Sequence, residues 1–183
     1  MKTALILIDI QNDYFPGGRM ELEGAEAAAA QARTLLDFFR QQKWPTVHIQ
    51  HISTRAGATF FLPDTDGMQI HLSIAPLEGE TVIVKHFPNS FRETTLLEHL
   101  KGLGVERLVF CGMMTHMCVD ATVRAAADLD YPVLLAADAC ATRTVAYSET
   151  KVPAAQVHAA FLAALKSYGQ VITTAEILSQ FNT

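Results

Sequence analysis

No stretch of these 183 residues is apolar for long enough to span a membrane, and no charge of one sign dominates. Fourteen Lys and Arg against nineteen Asp and Glu leave a net charge of −5, which gives no electrostatic reason for a nucleic acid or an anionic lipid as partner. Charged residues are only 18% of the chain and hydrophobic ones 50%, a balance that excludes a disordered protein. The three cysteines, an odd number in a chain this long, do not suggest a disulfide framework, so a reducing cytoplasm is the expected location. Met1-Lys2 leads into an apolar run as a signal peptide does. That run stops at Asp9, too short for the apolar core of such a peptide, and no small-residue cleavage site follows. With no repeat, low-complexity tract or linker, one domain over residues 1–183 is expected.

What is present is alternation. Ala4 to Ile8 is a continuous apolar run rich in branched residues, as in a strand buried on both faces. Thr46 to Ile52, Thr81 to Lys85, Leu108 to Cys111, Val133 to Ala136 and Val171 to Thr173 read as five further strands. Between them apolar residues fall at helical spacing: Gly24 to Lys43, Glu93 to Leu103 with Gly104 as C-cap, Met117 to Leu129, Pro153 to Tyr168, and a terminal helix near Ala175 to Gln180. Strand–helix alternation implies an α/β fold with a parallel sheet and helices on both sides. The exception is Ser53 to Gly79, a long segment with glycines and prolines, and such segments usually serve function or an interface.

In open parallel sheets ligands bind at the carboxyl ends of the strands. Asp9 ends the first strand, Lys85 the third, and the loop Gly112 to Met117 after the fourth delivers Cys118 to the start of a helix. A helix N-terminus and a neighbouring ammonium both lower a thiol pKa, and a carboxylate accepts the proton and returns it to a leaving group. Turn N–H groups before Cys118 are placed to hold an oxyanion. Each residue alone has a plainer reading: a buried small residue for Cys118, a turn residue for Asp9, a solvated cation for Lys85. Their shared edge is what favours function. His48, His51, His71, His86 and His116 show no ligand spacing with a carboxylate, so no metal is expected. Cys111 reads as core and Cys140, in the loop after the fifth strand, as packing. Phe60, Phe61, Phe87 and Phe91 are either core or pocket mouth.

Three segments carry a resemblance: Leu7-Ile8-Asp9-Ile10-Gln11-Asn12-Asp13-Tyr14-Phe15, Val84-Lys85 followed by Asn89-Ser90-Phe91, and Cys111-Gly112-Met113-Met114-Thr115-His116-Met117-Cys118-Val119-Asp120 continuing to Ala126. With them the sequence resembles the isochorismatase-like cysteine hydrolase superfamily, which includes nicotinamidases, N-carbamoylsarcosine amidases, ureidoacrylate-type amidohydrolases and isochorismatases. The resemblance implies a three-layer α/β/α sandwich around a six-stranded parallel sheet, Rossmann-like in plan. It implies Asp9, Lys85 and Cys118 as a catalytic triad, a cis peptide at Met113–Met114, and the backbone N–H groups of Met114 and Cys118 as an oxyanion hole. Members of this fold tend to be dimers or tetramers, so a homo-oligomer is expected. Where nicotinamidases have an Asp-x-His metal motif, this chain has Gln50-His51-Ile52-Ser53, which argues against zinc and against nicotinamide.

The expected function is cofactor-free hydrolysis of a small amide, carbamoyl or lactam-type C–N bond, with Gln11, Phe15, Phe61 and Phe91 as candidates for the substrate pocket. Two rivals stand beside it: ether hydrolysis of the isochorismatase type with Asp9 as acid and Cys118 incidental, and a scaffold or redox-responsive protein with a spent site.

Overall fold

The structure is a computed structural model and describes residues 1–181. Its centre is β1 (Thr3–Ile8), buried at every position. Side chains alternate across a strand, so β1 feeds two separate cores. Leu5 and Leu7 join one with α1 (Ala25–Gln42) and α5 (Thr174–Phe181). Ala4, Ile6 and Ile8 join the other with α2 (Leu96–Gly102), α3 (Asp120–Asp128) and α4 (Ala154–Leu165). A strand apolar on both faces therefore dictates helices on both faces, giving the α/β/α sandwich.

Around β1 the sheet grows outward in both directions. β2 (Thr46–His51) and then β3 (Thr81–Lys85) lie on one side; β4 (Arg107–Met113), β5 (Val133–Ala141) and β8 (Gln170–Ile172) lie on the other. All five pairings are parallel. The order reverses at β1–β4, where Ile8 sits opposite Gly112. Contact there is backbone to backbone: Gly112 has φ +132°, and a Cβ at this position would fall on the Ile8 carbonyl oxygen. Only glycine fits.

Several boundaries differ from the sequence reading. The second helix begins at Leu96 rather than Glu93, because Glu93 has φ +54° and Thr94 Oγ1 donates to the Ser90 carbonyl, closing a turn first. Strand five runs five residues further, to Ala141, so Cys140 lies on the strand and not in a loop after it. Its Ala-rich end carries little β propensity and is held by pairing with β4 across an irregularity between Phe110 and Gly112. A small antiparallel hairpin, β6 (Val145–Tyr147) with β7 (Thr150–Val152), was not foreseen. The fourth helix spans Ala154–Leu165 and buries Val157 and Leu165, with Phe161 and Tyr168 only half-buried.

Candidate active site

Three strand ends at the carboxyl edge of the sheet deliver the candidate groups. After Ile8 the chain turns sharply, with Asp9 at φ +49°, a left-handed conformation that aspartate tolerates better than most residues. Lys85 is the last residue of β3. After β4 come a cis peptide between Met113 and Met114 and a π turn, Thr115–Val119, that carries Cys118. The turn is wound by i→i−5 bonds, Val119 N–H to the Met114 carbonyl and Asp120 N–H to that of Thr115.

The three side chains meet. Lys85 Nζ lies 2.7 Å from Asp9 Oδ2 and 3.3 Å from Cys118 Sγ, and it also donates to the Phe87 carbonyl at 3.1 Å. Its fourth neighbour is His51 Nδ1 at 2.9 Å. Asp9 and Lys85 are 0% exposed, whereas Cys118 shows 6% of its surface to a cavity of about 510 Å³. Tyr14, His51, Phe60, Phe61, Phe87 and Met114 line that cavity with it.

Burial resists the charge on Lys85, but Asp9 and Cys118 outweigh it and raise the ammonium pKa above its ordinary value. Burial lowers His51 to about 4, so at neutral pH the ring is uncharged and its Nδ1 accepts from Lys85. The remaining ring hydrogen is then on Nε2. Cys118 runs against the sequence expectation of an acidified thiol. Burial, followed by the charge of Asp9, pushes its pKa well up, and Lys85 offsets only part of this. One ammonium beside two anions is disfavoured in an interior, so the resting cluster holds carboxylate, ammonium and neutral thiol.

An oxygen of Asp9, a ring nitrogen of His51 and Sγ of Cys118 all lie within 4.8 Å of one another, a donor set suited to a metal that residue spacing did not reveal. The Lys85 ammonium contacts all three residues, so the set already surrounds a cation of its own.

Of the four residues proposed for the pocket, Phe61 lines the cavity, and Gln11, Phe15 and Phe91 do not. Gln11 is fully buried and holds chain segments together. Phe15 stacks on His71 with ring centroids 3.7 Å apart. Phe91 packs on the α2–α3 core. The long segment 53–79 does form a cavity wall, pinned by Asp13, whose Oδ2 accepts from Phe61 N–H at 2.6 Å and so holds that residue at φ +54°. Sequence reasoning missed Tyr14 and His51. The strand-end rule that selected Lys85 also points to His51, the last residue of β2.

Residues 3–176 match the profile of the isochorismatase domain. An uncharacterised isochorismatase family protein of Bacillus subtilis, YddQ, is 52% identical over 96% of this chain and 98% of its own. A crystal structure from Oleispira antarctica, assigned as an isochorismatase hydrolase, is 50% identical, with TM-score 0.93 over 97% of this chain and 96% of that one. More distantly, the ureidoacrylate amidohydrolase RutB of Klebsiella pneumoniae is 27% identical over 75% of this chain and 72% of its own. The sandwich, the sheet-edge cluster and these likenesses agree, and the chain belongs to the isochorismatase family of hydrolases.

Proposed function

We propose that this chain hydrolyses a small amide, carbamoyl or lactam-type C–N bond through a thioester on Cys118. The observation that carries this reading is that one buried ammonium, on Lys85, touches both the Asp9 carboxylate and the Cys118 sulfur at the floor of a cavity. Transfer of the thiol proton to Asp9 converts carboxylate and thiol into carboxylic acid and thiolate with no change in net charge, and Lys85 neutralises the anion on either side of the step. The thiolate attacks the substrate carbonyl. The oxyanion is received by the backbone N–H groups of Met114 and Cys118. Asp9 returns its proton to the leaving amine, takes one from the water that cleaves the thioester, and passes it to the departing Cys118 sulfur, which restores carboxylate and thiol. Every proton is accounted for within these residues, and the reading calls for no cofactor.

Amidohydrolase relatives support a C–N bond as the target. The free cysteines support a cytoplasmic location, and we place the whole activity in one domain that works as a homo-oligomer.

An ammonia-release screen over small amides, ureides and lactams tests the reading, with Cys118→Ala and Asp9→Ala as controls. Both substitutions are expected to lower turnover about 1000-fold or more. Loss with Asp9→Ala but not with Cys118→Ala would replace it with acid-catalysed ether cleavage.

A further inference from the structure

The cavity lining carries a guanidinium, that of Arg55, without a counter-charge. Among the residues lining the cavity there is no carboxylate. Asp9 lies behind Cys118, fully buried and paired with Lys85. At the outer rim stands Arg55, exposed, and among the described residues nothing pairs with its guanidinium. His86, also in the lining, is anchored by Nδ1, which donates to the Ile52 carbonyl at 2.8 Å. Arg92 lies 3.7 Å over the ring of Phe87, itself a wall residue, and is paired with Glu93 at 3.6 Å, so that charge is balanced. The lining also includes the aromatic and thioether side chains of Tyr14, Phe60, Phe61, Met114 and Met117.

We infer that the cavity takes amides whose far end is anionic or uncharged and rejects cationic ones, with Arg55 as the residue that reads the far end. The inference rests on Cys118 being the reacting group. A cation entering past Arg55 meets like charge and finds no carboxylate to replace its lost hydration. An anion keeps a partner in Arg55 while its apolar body lies along the rings.

Maleimides test this without a known substrate, because the thiolate adds across their C=C bond and the resulting carbanion takes a proton. N-ethylmaleimide, 3-maleimidopropionate and N-(2-aminoethyl)maleimide differ chiefly in the charge a few bonds from the reacting carbon. Labelling of Cys118 is followed by peptide mass spectrometry, and each rate is divided by that for 2-mercaptoethanol. The anionic reagent is expected to exceed the cationic one about five-fold at low salt, and the gap to close near 1 M salt, where screening reaches about 3 Å. Arg55→Gln should reduce the ratio, and Arg55→Glu should invert it. A ratio equal to that of the free thiol, or one untouched by Arg55→Glu, overturns the inference while leaving the nucleophile intact. Failure of N-ethylmaleimide to label Cys118 faster than the buried Cys111 would instead remove the nucleophile, and the inference with it.

Discussion

Gln11 grips His51 by both backbone groups: its Oε1 accepts from His51 N–H and its Nε2 donates to the His51 carbonyl, each at 2.8 Å. The same Nε2 donates to the Met68 carbonyl at 2.7 Å, so one buried carboxamide joins the end of β2 to the cavity-forming segment. Through this grip the ring of His51 is held against Lys85.

Gln11→Ala leaves the N–H and carbonyl of His51 without this partner, while the Met68 carbonyl keeps its bond from Gln50 Nε2 at 2.8 Å. Unmade buried hydrogen bonds cost about 1–3 kcal/mol each, partly recovered by water, so a loss of roughly 3 kcal/mol is expected in urea denaturation. Gln11→Glu keeps the acceptor for His51 N–H and loses the donors, and should fall between. Turnover should drop in both, because His51 loses its fixed position beside Lys85.

Lys85→Met strands the Asp9 carboxylate in the interior, and breaking a buried pair from one side typically costs about 3–5 kcal/mol. Adding Asp9→Asn to it removes the stranded charge and should restore part of the stability, as read from thermal melts. Activity should stay absent in both variants. Full stability in the single variant would mean that the pair is not a coupled unit.

Acid should unfold the protein in two overlapping stages. His51 binds a proton near 6.5 when unfolded but only near 4 when folded. Its contribution is whole above pH 6.5 and lost as pH falls to about 4, on the order of 2 kcal/mol for this partly exposed ring. Glu80 is held down to about 2, against an ordinary 4.5, by bonds from Arg40, Leu77 N–H and His48 that outweigh its burial. Its contribution is present above 4.5 and lost towards 2. His51→Asn should flatten the upper stage and Glu80→Gln the lower, in urea midpoints measured across pH.

Gly112→Ala should prevent folding or lower the melting temperature severely, because a Cβ has nowhere to go against the Ile8 carbonyl. Calorimetry of the variant checks this.

The sheet was legible because its strands are short branched runs, and β1 alternates between two cores as its residues predict. Asp9, Lys85 and Cys118 could be named because strand ends converge by topology, whatever the sequence distance. The cavity lining was not legible. Gln11 and Phe15 share a segment with Tyr14, yet only Tyr14 reaches the cavity, since a 3-10 turn at Asn12–Tyr14 sends successive side chains in different directions. The direction of the Cys118 shift was also out of reach. Helix position argued for an acidic thiol, whereas depth and the nearness of Asp9, both tertiary facts, reverse it.

The π winding at Thr115–Val119 makes the number of residues in this loop part of the chemistry. An ordinary helix advances about 100° per residue, so the phase at which the thiol emerges depends on one surplus residue being wound into the turn. A chain one residue shorter between Met114 and Cys118 would keep every reactive group and the whole sheet, yet present sulfur on a different bearing from Lys85. Insertions and deletions here are therefore expected to be tolerated by folding and selected against by turnover.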